Sequence, residues 1–186
     1  MGKAEKGTDG ARKMNVRRLA VLALLLAAAV ICGYVDAVVP IPIPVPGVKI
    51  GIANVAITFV LYAYGAKEAA LVSFLRVGII SLLFGNLTAA FYGLFGAAAS
   101  LLIMCALKRT GIFGVIGVSA AGGAAHNAAQ VTLAGIVLRG FPVRWYLPAM
   151  LLVGLAAGVL TGIADAVLLP RLLPLTEEDG TRTSRS

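Results

Sequence analysis

The stretch Arg17-Arg18-Leu-Ala-Val-Leu-Ala-Leu-Leu-Leu-Ala-Ala-Ala-Val-Ile-Cys32-Gly-Tyr34 sets two arginines against a long uncharged run of helix-forming residues. Leucine and alanine favour helix strongly, and no charge interrupts the run before Asp36. At 1.5 Å per residue, roughly 18–25 such residues cross the ~30 Å hydrocarbon layer of a bilayer. Basic residues before an apolar run also mark a signal peptide. Here the run is long and five more follow, so it reads as a retained transmembrane helix. The whole chain has the same character. Of its 186 residues 60% are hydrophobic and 13% charged, with a mean hydropathy of +0.96. A soluble domain carries roughly 25% charged residues, so the fold class expected is an all-α membrane protein, a bundle of six transmembrane helices.

Working outward, residues 1–16 are polar and aperiodic and read as a disordered basic tail. Helix 1 is expected over Arg17–Val38. It ends at Pro40-Ile-Pro-Ile-Pro-Val-Pro46-Gly47, where alternating prolines remove amide donors and force an extended loop. Further helices are expected over Val48–Tyr64, Ala69–Phe84, Leu87–Leu107, Phe113–Leu138 and Tyr146–Leu169. The transmembrane domain then spans 17–173, and 174–186 reads as a second disordered tail. With the N-terminus inside, twelve basic residues fall on inner segments, and only Lys49, Arg139 and Arg144 on outer ones. That bias places both termini in the cytoplasm of a bacterial cell membrane, and Trp145-Tyr146 in an interfacial belt. It also accounts for the net charge of +8 without a nucleic-acid partner. Cys32 and Cys105 stand alone within apolar helices and read as packing residues.

Polar groups at membrane depth cost several kcal/mol unless they face protein or water, so they point to function. Arg76 lies midway along helix 3. His126, Asn127 and Gln130 lie mid-helix 5, with His126 and Gln130 on one face by their i, i+4 spacing. Asn54 sits in helix 2, Asp36 and Lys49 flank the proline-rich loop, and Asp165 lies on helix 6. One reading pairs Arg76 with Asp165 or a backbone carbonyl as interhelical glue. The other gathers Asn54, Arg76, His126, Asn127 and Gln130 around a substrate pocket that Lys49 and the Pro40–Pro46 loop gate. Positive groups with few acids suit an anionic or carbonyl-rich ligand. Ala23 and Ala27, four apart on helix 1, would let a partner helix approach closely.

No Gly-x-x-x-x-Gly-Lys-Ser/Thr loop is present to bind ATP. No aspartate pair could hold Mg²⁺ and a diphosphate. No Cys/His metal spacing or hydrolase nucleophile motif occurs. These absences argue against an enzyme and call for no cofactor.

Several segments resemble a bacterial membrane family known as heptaprenyl diphosphate synthase component I, or the Gx transporter family. They are Pro46-Gly-Val-Lys49-Ile-Gly-Ile-Ala-Asn54, Lys67-Glu68-Ala69, Leu75-Arg76-Val77 through Ser81-Leu-Leu-Phe-Gly85, and Gly122-Gly-Ala-Ala-His126-Asn127-x-x-Gln130. The likeness extends over residues 18–173. Its older name implies an accessory role in making the prenyl tail of menaquinone. The family also resembles the substrate-binding S components of energy-coupling-factor (ECF) vitamin transporters, whose first helix meets a coupling subunit driven by ATPases. On that resemblance the expected function is a substrate-binding subunit of an uptake system. Its ligand would be a small vitamin, flavin or quinone precursor, and its partners a transmembrane coupling subunit and ATPases. The alternative is the non-catalytic membrane component of heptaprenyl diphosphate synthesis.

Overall fold

A computed structural model describes residues 16–38, 51, 53–84 and 87–177. The described residues form six helices and no strand: α1 (Val16–Val38), α2 (Asn54–Ala63), α3 (Ala66–Phe84), α4 (Leu87–Thr110), α5 (Val115–Val137) and α6 (Val143–Glu177). The all-helical expectation therefore holds over these residues. Three of the helices are long and apolar enough to cross a membrane, over Arg18–Asp36, Leu87–Thr110 and Val143–Pro174. Helix α3 is 19 residues long but carries Lys67, Glu68 and Arg76. Helix α5 has the length, but its His126, Asn127 and Gln130 dilute its apolar character.

Helix α2 departs furthest from the expected boundaries. It has 10 residues, about 15 Å at 1.5 Å each, which is half a bilayer core. The cause lies at Gly51, whose φ of +84° is a left-handed conformation that no α-helix contains. The amide of Asn54 donates to the Gly51 carbonyl at 2.9 Å, so a turn stands where a helix from Val48 was expected. At the other end the helix closes on Gly65, also at positive φ, whose amide donates to Val60 O at 3.1 Å. The Pro40–Pro46 loop and Lys49 lie outside the described residues.

Helix α6 departs in the opposite sense. It passes Leu169, the expected end, and continues through Pro170 and Pro174 to Glu177. A proline removes one amide donor and leaves the carbonyl four residues earlier without its helical partner. That weakens a helix but does not end one that packing holds, and Leu169 is buried.

Burial follows composition. Helix α2 is apolar all round, and Ala56 through Leu61 are all buried, as expected for a helix enclosed by others. Ile57, Val60 and Leu61 form the main core with Leu22 of α1, Ala69 and Val72 of α3, Leu101 and Met104 of α4, and Val118 of α5. The bundle's outer face carries exposed Leu24, Leu82, Phe91, Leu102, Ile136 and Leu160. Such a surface suits lipid and would be an aggregation hazard in water.

The closest packing joins α5 to α6 through glycines four apart. A Cβ added at Gly123 would lie 2.2 Å from the Gly154 carbonyl oxygen, and one at Gly154 would lie 2.4 Å from that of Gly123. Gly158 meets Ser119 O at 2.5 Å in the same sense, and Gly162 meets Ile116 Cα at 2.7 Å. Backbone touches backbone at successive rungs, the arrangement that small residues at four-residue spacing permit. The side chains nearby complete the seam, with Ser119 Oγ and Thr161 Oγ1 2.9 Å apart.

Candidate functional site

Where α5 and α6 touch, their backbones form one wall of a polar pocket. It is lined by Asp36 of α1, Gly51 and Asn54 at the start of α2, Arg76 of α3, Gly123, His126 and Asn127 of α5, and Gly154 and Ala157 of α6. Its cavity volume is about 30 Å³, and it is open in part to its surroundings. Four of the six residues singled out from sequence line this one space: Asn54, Arg76, His126 and Asn127.

Each is positioned by its helix. Arg76 is nine-tenths buried in the middle of α3. Asn54 is the first residue of α2, held there by the Gly51 turn. Asn127 is 3% exposed and donates from Nδ2 to the Met150 carbonyl of α6 at 3.1 Å, which fixes its amide against the seam. His126 lies half-buried against α4 at Gly96. A Cβ at Gly96 would stand 2.9 Å from both Cε1 and Nε2 of the imidazole. The absence of a side chain at residue 96 is therefore what seats the ring.

Gln130 is placed differently. It shares the face of His126, as the i, i+4 spacing required, but it is fully buried and is not part of the pocket wall. Its Nε2 lies 3.5 Å from the Tyr92 carbonyl of α4. This contact ties α5 to α4.

Asp36 is the residue that sequence reading placed wrongly. The sequence reading sets it beside the proline-rich loop and leaves it out of the pocket, yet it is 4% exposed and lines that pocket. The signal was available, since Asp36 lies three residues from Gly33 on the same face of α1. The suggested partnership of Arg76 with Asp165 does not form. The carboxylate that lines the same pocket as Arg76 is that of Asp36. Asp165 is fully buried elsewhere on α6, and neither of its carboxylate oxygens has a hydrogen-bond partner.

A second polar cluster sits at the opposite end of α2. Arg18 pairs with Glu68, and its guanidinium lies 5.3 Å from the Tyr64 ring centroid. Lys108 Nζ donates to the Leu61 carbonyl at 2.6 Å and lies 4.7 Å from the Tyr62 centroid. Ala23 and Ala27 face outward from α1. Among the described residues no three His, Cys, Asp or Glu side chains gather as a metal ion would require. The pocket thus offers one guanidinium, one carboxylate, two amides and an imidazole. It can recognise charge and hydrogen-bonding groups.

These features define a helical bundle with apolar, membrane-compatible helices and a polar pocket among them. The chain belongs to the heptaprenyl diphosphate synthase component I family, whose model matches residues 25–168 and so reaches from within α1 to within α6. The chain has no significant match among curated proteins or among solved structures.

Proposed function

We propose that this chain is the non-catalytic membrane component of heptaprenyl diphosphate synthesis, binding a prenyl diphosphate with its diphosphate at Arg76 and its tail among the apolar helices. The observation that carries the reading is the buried Arg76 opening onto a polar pocket inside an otherwise apolar bundle. A guanidinium presents a rigid fork of N–H donors that matches phosphate oxygens bidentately. Asn54 and Asn127 supply further amides, and Lys49 would add a second positive charge. The family description names one component of a synthase, and no aspartate pair for Mg²⁺ is found in this sequence, so catalysis falls to a separate soluble component.

Six helices crossing the membrane, with both termini cytoplasmic, complete this reading. Its support is the twelve-against-three distribution of basic residues. The test is reconstitution with a soluble, aspartate-rich partner component. Mg²⁺-dependent prenyl elongation is expected only from the pair, and Arg76→Ala in this chain should reduce it. Full elongation by the soluble component alone would defeat the proposal.

A second reading is an uptake subunit resembling ECF S components, with the Pro40–Pro46 loop as gate and Ala23 and Ala27 meeting a coupling subunit. The polar pocket and the outward-facing alanines favour it. Mass spectrometry of molecules co-purifying with wild type and Arg76→Ala separates the two readings. A vitamin, flavin or quinone precursor found only with wild type favours uptake. A polyprenyl diphosphate found only with wild type favours synthesis.

A further inference from the structure

We propose that Asp36 is the resident counter-ion of Arg76, and that an anionic ligand must draw Arg76 away from it. The inference rests on the diphosphate reading above and concerns the same pocket. It makes Asp36 the residue that sets how tightly the pocket holds an anion.

The argument begins with burial. Arg76 is nine-tenths removed from solvent in an apolar bundle. A guanidinium there is costly unless a carboxylate or several oxygens compensate it. Glu68 is engaged by Arg18, and Asp165 does not line the pocket. Asp36 is placed to serve. Helix α1 comes close to α3 at Gly33, where an added Cβ would stand 3.4 Å from Ile80 Cγ1 and 3.8 Å from Arg76 Cδ. The stem of Arg76 therefore runs against α1 at Gly33. Asp36, three residues on and on the same face, is buried and lines the same pocket as Arg76.

This pair differs from a sealed structural ion pair because both members line the cavity. A ligand entering the pocket meets the guanidinium and the carboxylate together. The planar fork can turn its N–H donors from a carboxylate to a phosphate oxygen. The Asp36 carboxylate cannot accept a dianion as neighbour without repulsion. An anion must therefore outbid Asp36 for Arg76 and then tolerate its charge, so Asp36 lowers affinity for anions while stabilising the empty pocket.

The experiment uses the full chain in detergent and four proteins: wild type, Asp36→Asn, Arg76→Gln and the double variant. Thermal unfolding is measured without ligand, and inorganic diphosphate binding by titration calorimetry. Each single substitution should lower the melting temperature, and the double variant should recover most of the loss, since neither charge is then left unpaired. Asp36→Asn should bind diphosphate about tenfold more tightly than wild type, and Arg76→Gln at least about tenfold more weakly.

Additive melting shifts would overturn the counter-ion assignment. Coupled shifts with no tighter binding by Asp36→Asn would overturn the competition. If the shifts are coupled and neither wild type nor Asp36→Asn binds diphosphate, the ion pair stands and the diphosphate reading of the site falls. An Asp36→Asn chain that fails to fold while the double variant folds is the same coupling at its extreme. The binding test is then carried by Arg76→Gln against the double variant, with tighter diphosphate binding by the double variant expected and equal or weaker binding overturning the competition.

Discussion

At the Tyr64 end of α2, Arg18 closes on Glu68 and Tyr64, and Lys108 closes on Tyr62 and the Leu61 carbonyl. At the Asn54 end, Asp36, Arg76, Asn54, His126 and Asn127 surround a space. The two regions draw on similar residue types. In the first, long side chains from α1 and α4 reach back across the end of a short helix, and each cation finds its partners on neighbouring elements. In the second, the polar groups come from four helices, and glycines of α5 and α6 hold the walls close without filling them. Polar residues that bond across a helix end stabilise the bundle locally. Polar residues that converge on a cavity leave donors and acceptors facing a molecule that can enter.

The largest effect is expected at the α5–α6 seam, which forms the wall of the pocket but is remote from the charged cluster. Gly123→Ala places a Cβ 2.2 Å from a backbone oxygen that cannot turn aside. Overpacking of this kind should cost about 3 kcal/mol and abolish diphosphate binding. Thermal unfolding in detergent measures it, and a melting temperature equal to wild type would show that the seam is looser than its geometry implies. Next comes Arg76→Ala, which should leave the helical circular dichroism in place while diphosphate affinity falls about ten- to a hundredfold, the worth of a charged hydrogen bond. Lys108→Ala, at the other end of α2, should leave that affinity unchanged. Equal losses from both would erase the distinction between the two regions.

A smaller effect is expected at the seat of the imidazole. Gly96→Ala brings a Cβ to 2.9 Å from the tip of His126. The ring is the end of a side chain that can rotate, so the stability cost should be only about 1 kcal/mol. The displaced ring should nevertheless alter diphosphate affinity several-fold, read by calorimetry. Unchanged affinity would remove His126 from the ligand's surroundings. The smallest effect belongs to the charged cluster. Arg18→Ala and Glu68→Ala should each cost about 1 kcal/mol or less, with a coupling that weakens at high salt. A double-mutant cycle at two salt concentrations checks this, and a coupling several times larger would mark the pair as a structural lock.

Much of the fold was legible because the apolar runs declare themselves. The expected limits of α1 and α4 lie within three residues of those observed, with α4 running three residues further through Lys108–Thr110. Helix α2 was misjudged because Val48-Lys-Ile-Gly-Ile-Ala is apolar enough to continue a helix, and nothing local announces that Gly51 turns left-handed. The end of α6 was misjudged because Pro170 is a stop signal only where packing does not oppose it. At the site, the rule that polar residues do not sit in apolar helices without cause found Asn54, Arg76, His126 and Asn127. The same rule grouped Gln130 with them, since spacing gives a shared face but not which neighbour that face meets. Asp36 stands outside that group because closeness to a loop does not say whether a side chain turns into the bundle. The glycines of α6 repeat every four residues, but spacing alone does not say which helix they meet.

By itself the sequence determined an all-helical, apolar chain, the family to which it belongs and a short roster of polar residues that need an explanation. These follow from local properties: helix propensity, run length, and the cost of a polar group in hydrocarbon. Only the tertiary structure decided that Arg76 shares a pocket with Asp36 and not with Asp165. It also decided that the Gln130 contact ties α5 to α4, and that Gly96, Gly123 and Gly154 shape the space between. Those outcomes depend on how helices cross, and crossing is fixed by the absence of side chains at a few positions where backbones touch. A glycine reads the same in the sequence whether it lies on the surface or at such a crossing.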